Sequence, residues 1–256
     1  MNIQAYLRRI QVLEQPESSL SFLNKLQFHH VTQVPFENLD ILRNIPLSLQ
    51  ISTMFEKLVT NNRGGVCYEL NGLFHALLCE LEYDAHLVAG TIYRGDHWGE
   101  ENTHATILVQ VGEEQYLADV GFGGNSPRQP IPLTGKIVDD IDGHYRVRAY
   151  SAMKDSYVLE KKEKDDWVML YRFSTAVWTL EDFTPTFQFI QTSPDSSFNK
   201  GYFLMKVTEQ GRMTLFDHSL TIVNRFNKTK ELIEPNRIDN VVEQFFSGTD
   251  ETVHGG

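Results

Sequence analysis

The chain has 256 residues, 41% hydrophobic and 22% charged, which is enough apolar material to bury a large core. Acidic residues (34) outnumber Lys and Arg (23), and the formal net charge of −11 argues against nucleic-acid backbones and anionic membrane surfaces as partners. No apolar run approaches the roughly 18 residues of a membrane span, the first residues carry no leader pattern, and two cysteines are too few for a disulfide framework, so a cytoplasmic protein with free thiols is expected.

The first eighty or so residues read as helical. Leu20, Leu23, Leu26 and Val31 fall near helical spacing, and Thr53 with Glu56 has the form of a capping box. From Cys67 onward, Leu70, Leu73, Phe74, Leu77, Leu78 and Leu81 make the apolar stripe of a core-packed helix ending near Tyr83. The period then switches to two. His86 to Tyr93 reads as a strand, and Ala105 to Val111 and Gln115 to Val120 flank Gly112-Glu113, the signature of a two-residue hairpin with a type II′ turn. Further strands are expected at Tyr145 to Tyr150, Ser156 to Glu160 and Trp167 to Phe173, with the charged run Lys161 to Asp166 as a solvated hairpin loop. Past Thr192-Ser193-Pro194 come β-like Tyr202 to Thr208 and Met213 to Val223. A helix carrying Ile238, Val241, Val242, Phe245 and Phe246 follows, and the polar tail 247–256 is expected to fray. The fold class expected is α+β: helices over 1–84, a sheet or small barrel over 85–190, and a mixed α/β segment over 191–256.

Chemistry concentrates at Arg63-Gly64-Gly65-Val66-Cys67-Tyr68-Glu69-Leu70-Asn71, where a Gly-Gly turn delivers a thiol to a helix amino terminus. First-turn N–H groups and the helix dipole favour thiolate there, although a free cysteine is more often a small buried hydrophobe. In the hairpin register Thr106 faces Asp119 and His104 shares its face, which leaves an imidazole and a carboxylate one diagonal step apart, roughly 7 to 8 Å between Cα atoms. That is close enough for a hydrogen bond between the side chains, but spacing alone does not bring Cys67 to the pair. Gly121-Phe122-Gly123-Gly124 lacks the ending of a phosphate-binding loop and reads as a rim. His29-His30 forms no ligand pattern, so no metal is expected, and Cys79 falls off the helical stripe as an inert thiol.

These residues resemble the arylamine N-acetyltransferase family, bacterial type. The resemblance rests on Val34-Pro35-Phe36-Glu37-Asn38, Arg63-Gly64-Gly65-x-Cys67-x-Glu69-x-Asn71, His104 at a strand start and Asp119-Val120-Gly121-Phe122-Gly123, with a weaker match at Thr192-Ser193-Pro194-x-Ser196-Ser197-Phe198. It implies a helical bundle, a β-barrel and a C-terminal α/β lid around a cysteine-protease-like Cys67, His104, Asp119 core. It also implies a two-step transfer of acetyl from acetyl-coenzyme A, through acetyl-Cys67, to arylamines, arylhydrazines or N-hydroxyarylamines. Phe36, Ile92, Phe122 and Phe198 are the implied acceptor pocket, and Asn102 and Thr103 the implied coenzyme contacts. The loop Asp96-His97-Trp98-Gly99-Glu100-Glu101 departs from what an anionic coenzyme wants by its acidity; Arg94 is its nearest cation, and Arg63 reads as a brace for the turn or for Glu69.

Two other readings compete. The same triad serves thiol hydrolases and amide synthases, which differ in donor and acceptor, and a non-catalytic binding module on this scaffold would be marked by a missing triad member.

Overall fold

The helices form where the apolar stripes lie. In the computed structural model, which describes residues 1–247, they are α1 (Ile3–Arg9), α2 (Leu20–Gln33), α3 (Leu39–Leu42), α4 (Ile51–Phe55) and α5 (Cys67–Glu80). Ser19 caps α2 by accepting from the Phe22 N–H. The expected capping box at Thr53 and Glu56 does not form: α4 already starts at Ile51, and Glu56 opens a π-helical turn over Glu56–Thr60. Residues 248–256, most of the polar tail, lie outside the described residues.

Eight antiparallel strands follow: β1 (Asp84–Ile92), β2 (His104–Val111), β3 (Glu114–Ala118), β4 (Ile131–Pro132), β5 (Val138–Asp140), β6 (Gly143–Ala149), β7 (Ser156–Glu163) and β8 (Asp166–Ser174). Their order is β4-β3-β2-β1-β8-β7-β6-β5, and β4 packs beside β6, so the sheet curls into a nearly closed barrel. The register Val111 to Glu114, Val109 to Tyr116 and Ile107 to Ala118 is the expected one, with positive φ at Gly112 alone of the two turn residues, as a type II′ turn requires. Alternation along β1 and β2 divides the core. Ala85, Leu87, Ala89, Ala105, Ile107 and Val109 pack on the helices, whereas Val88 and Leu108 join Leu117, Val147 and Tyr171 inside the barrel.

Of the charged run 161–166 only Lys164-Asp165 form the expected hairpin turn. Lys161 to Glu163 belong to β7, Asp166 begins β8, and Lys161 is only 3% exposed. After α6 (Thr184–Thr192), the single expected run Met213 to Val223 is broken by Asp217-His218 into two strands. Together β9 (Phe203–Thr208), β10 (Gly211–Phe216), β11 (Ser219–Asn224) and β12 (Lys228–Leu232) form a meander that buries Leu204, Leu215 and Leu220 against α7 (Ile238–Phe246). An α+β architecture of helices, barrel sheet and C-terminal sheet results. Among the described residues no helix is long and apolar enough to cross a membrane.

Candidate active site

The Val34 to Asn38 segment ties the three parts together. Phe36 exchanges backbone hydrogen bonds with Met205 of β9 (2.8 and 2.9 Å), and Glu37 N–H donates to the Gly65 carbonyl. Buried Asn38 donates to the carbonyls of Phe198 and Gly201 and accepts from Phe203 N–H, fixing the chain before β9. Glu37 Oε1 accepts from Arg63, which also reaches Asp40. Arg63 therefore braces the turn through α3, not through Glu69. Glu69 is held instead by Lys57, and its Oε2 accepts from the Val66 N–H at 3.0 Å, pinning the residue before Cys67.

Cys67, at the first position of α5, is 3% exposed. Its Sγ lies 3.8 Å from the Thr103 carbonyl, and it shares a cavity wall with the His104 ring. The other side of that ring is occupied: His104 Nε2 donates to Asp119 Oδ2 at 2.7 Å, with both side chains at most 1% exposed. Asp119 is saturated. Its Oδ1 accepts from Asn71 Nδ2 (2.9 Å) and Gly121 N–H (2.8 Å), and its Oδ2 also accepts from the Tyr171 hydroxyl (2.7 Å). Burial pushes the Asp119 carboxyl up, but the His104 cation and the hydrogen bonds from His104, Asn71 and Tyr171 outweigh it and hold it below the usual range. Burial likewise pushes His104 down, yet the Asp119 charge and hydrogen bond, with Cys67 adding to them, raise it to about 10. At Cys79 partial burial, Glu80 and Asp84 all push the thiol up, away from thiolate.

Around the thiol lies an apolar cavity of about 300 Å³ lined by Cys67, His104 and Gly121, and by all four expected pocket residues, Phe36, Ile92, Phe122 and Phe198. Phe122 meets the His104 ring edge-on, with centroids 5.2 Å apart. The Gly121 to Gly124 segment is a packed wall, not a free rim: Gly124 N–H reaches Met205 Sδ, and Phe122 N–H donates to Ser126 Oγ. A second hollow of about 240 Å³ shares Ile92, Arg94, Thr103, Ser197 and Phe198 with the first and opens past His97 and Glu100. Thr103 thus borders both hollows. Asn102 lines neither; its N–H donates to Thr91 Oγ1. Sequence reasoning missed Phe203 and Met205 as cavity walls, and the roles of Asn71 and Tyr171. Asn71 had a signal, since it sits one helical turn after Cys67; Tyr171 had none.

An α+β protein that sets a thiol at a helix start against a buried imidazole and carboxylate has the make-up of a thiol-dependent acyl-transferring enzyme. A profile of the N-acetyltransferase family matches residues 19–248. An uncharacterized acetyltransferase of Bacillus subtilis is 33% identical over 215 residues, covering 83% of this chain and 85% of that protein. An arylamine N-acetyltransferase of Mycolicibacterium smegmatis is 32% identical over 229 residues, with coverage of 87% and 82%. The crystal structure of arylamine N-acetyltransferase C from Bacillus anthracis superposes with a TM-score of 0.91 at 27% identity, covering 97% of this chain and 99% of that one. The chain belongs to the arylamine N-acetyltransferase family and is an enzyme of the acyltransferase class.

Proposed function

We propose that the chain transfers acetyl from acetyl-coenzyme A to aromatic amines, hydrazines or N-hydroxyarylamines in two steps through acetyl-Cys67. The observation that carries this reading is the thiol at the start of α5 lining one cavity with an imidazole whose Nε2 is locked on a four-donor carboxylate. Asp119 fixes the ring so that Nε2–H points to it and Nδ1 is left for the thiol. His104, raised to about 10, holds the proton given up by Cys67 on Nδ1, and the thiolate attacks the donor carbonyl. The tetrahedral intermediate, whose oxyanion is met by the Cys67 N–H of the uncapped first turn, collapses with loss of the coenzyme thiolate, which takes the proton. In the second step His104 accepts the proton of the attacking amine, the C–S bond breaks, and the amide leaves.

Phe36, Ile92, Phe122 and Phe198 would receive the flat aromatic ring beside the acetyl group. With Cys67 at 3% exposure in an apolar hollow, water is a poor competitor, which favours transfer over hydrolysis. Thr103 and Arg94, shared by both hollows, are placed to meet the donor's arm; Asn102 would act only through the shape of its loop.

Intact-mass measurement after brief mixing with acetyl-coenzyme A alone should show one acetyl group, mapped to Cys67, which disappears on adding an aromatic hydrazine. Persistence of unmodified Cys67 with no coenzyme A released rules out this donor. An acetyl group that decays at one rate with or without hydrazine makes the enzyme a hydrolase.

A further inference from the structure

Lys161 is the anomaly among the buried charges. It is 3% exposed on β7, and among the described residues no carboxylate lies within ion-pair distance of it; its one side-chain hydrogen bond is to Asn125 Oδ1 at 3.3 Å. Among the described residues other buried ionic groups have ionic partners, as Arg128 has in Asp140 and Asp142 and Glu160 in Arg146 and Arg148, or carbonyl acceptors, as Arg9 has. A buried ammonium left without an anion is costly unless something supplies one.

The surroundings supply more positive charge. Lys161 borders a hollow of about 600 Å³ walled by Lys162, Lys164, Arg212, His144 and Gly143, where four cations share the lining with the carboxylates of Asp142 and Glu163, and Asp139 is taken up by His144, in a chain whose net charge is −11. Asp142 is already engaged by Arg128 and Arg212. Gly143, at φ +130°, suits the turn into the floor: a Cβ there would stand 3.2 Å from the Lys162 carbonyl and 3.6 Å from Lys161 Cε. The basin also adjoins the thiol cavity, because Asn125, which receives Lys161, lines that cavity.

We infer that the Lys161, Lys162, Lys164 and Arg212 basin binds phosphate groups, and that its ligand is the phosphorylated nucleotide end of the acyl donor, reaching the thiol past Asn125. The second part rests on the coenzyme A reading above. A phosphate matches the site because several oxygens accept from separated ammonium and guanidinium groups at once, which a carboxylate-poor basin allows.

The test replaces Lys161 with Met, of similar length and suited to burial, and, separately, the exposed Lys164 with Glu, which spares the interior. Binding of adenosine 3′,5′-bisphosphate and of inorganic phosphate is measured by calorimetry, and KM is measured for acetyl-coenzyme A and for S-acetyl-pantetheine, which lacks the nucleotide. Lys161→Met is expected to weaken bisphosphate binding and raise the acetyl-coenzyme A KM by about tenfold each, and Lys164→Glu by a lesser factor, with S-acetyl-pantetheine kinetics unchanged. Unchanged bisphosphate affinity and unchanged KM in both variants overturn the inference. Inorganic phosphate binding as tightly as the bisphosphate, with KM unmoved, makes the basin a free-phosphate site and overturns the assignment to the donor. If wild-type Cys67 is not acetylated by acetyl-coenzyme A while bisphosphate binding still depends on Lys161, the donor reading fails and the phosphate basin stands.

Discussion

Asn71 Nδ2 donates to Asp119 Oδ1 at 2.9 Å, and through this bond the helix that carries Cys67 and the segment that carries Asp119 hold one geometry. The same amide donates to the Ala105 carbonyl (2.7 Å) and accepts from Val120 N–H (2.9 Å), so every polar atom of a fully buried side chain spans the helix-to-barrel junction.

Asn71→Ala strands Ala105 O and Val120 N–H in the interior and removes one donor from Asp119, which should cost about 2–4 kcal/mol of stability. Because that donor helps to keep the Asp119 carboxyl low, its loss moves the acid limb of the stability profile to higher pH. Urea denaturation from pH 3 to 8, alongside the rate of Cys67 acetylation, reads both effects. Equal acid limbs in variant and wild type would mean that Asn71 merely fills space.

The His104 imidazole, raised to about 10 in the fold against about 6.5 in the unfolded chain, holds its proton more tightly when folded. Its stabilising contribution is therefore complete below pH 6.5, shrinks as pH rises above that value, and is gone once pH passes about 10. Asp119, held low, contributes in the opposite sense: its share is present above the unfolded carboxylate range and is lost as pH falls. The denaturation midpoint of the wild type should thus fall between pH 7 and 10 by more than that of His104→Gln. Parallel curves for the two proteins would remove the protonated imidazole from the folded state.

Most of this arrangement was legible in residue order, and the part that was not has a definite cause. Hairpin register is local, since a two-residue turn fixes every pairing after it, which is why His104 and Asp119 met as expected. The α5 stripe was equally local. Lys161 was misread because charge runs say nothing about which member of a strand points inward, and the period-2 pattern through Leu159 was the better guide. The Thr53 capping box failed because neighbouring Ile51 and Met54 determine where α4 begins by their packing. Tyr171 on Asp119, and Phe203 and Met205 in the cavity wall, arise from contacts across 50 residues or more, which no local pattern carries.

Beneath the thiol, Lys57 lies between Asp40 Oδ2 (2.8 Å) and Glu69 Oε1 (2.9 Å), and Glu69 is 2% exposed. Lys57→Met leaves Glu69 buried beside Glu37 without its closest cation, a loss of about 3–5 kcal/mol. Adding Glu69→Gln to that variant removes the stranded charge while keeping an acceptor for Val66 N–H, so the double variant should recover part of the loss. A double-mutant cycle on thermal unfolding gives the coupling directly, and additive single effects would show that Lys57 stabilises the chain by some route other than Glu69.

Gly121 permits the closest approach in the site. A Cβ at this position would stand 2.6 Å from Asn71 Nδ2 and 2.9 Å from the Cys67 Cα, both held by buried partners that have nowhere to go. The strain in Gly121→Ala should either push the loop and Asp119 away from the helix or turn the Asn71 amide out of its three hydrogen bonds. The first response separates His104 from its carboxylate, and the second strips that carboxylate of a donor that keeps it low. The expected loss is about 2–4 kcal/mol in stability, with Cys67 acetylation slowed by at least about 100-fold. Gly112→Ala is the control, since its added Cβ meets no atom within 4 Å and perturbs only a remote hairpin turn of positive φ. If Gly121→Ala acetylates at the rate of that control, the contact between α5 and the Asp119 segment has slack, and the tight packing of the proposed nucleophile is not what sets its reactivity.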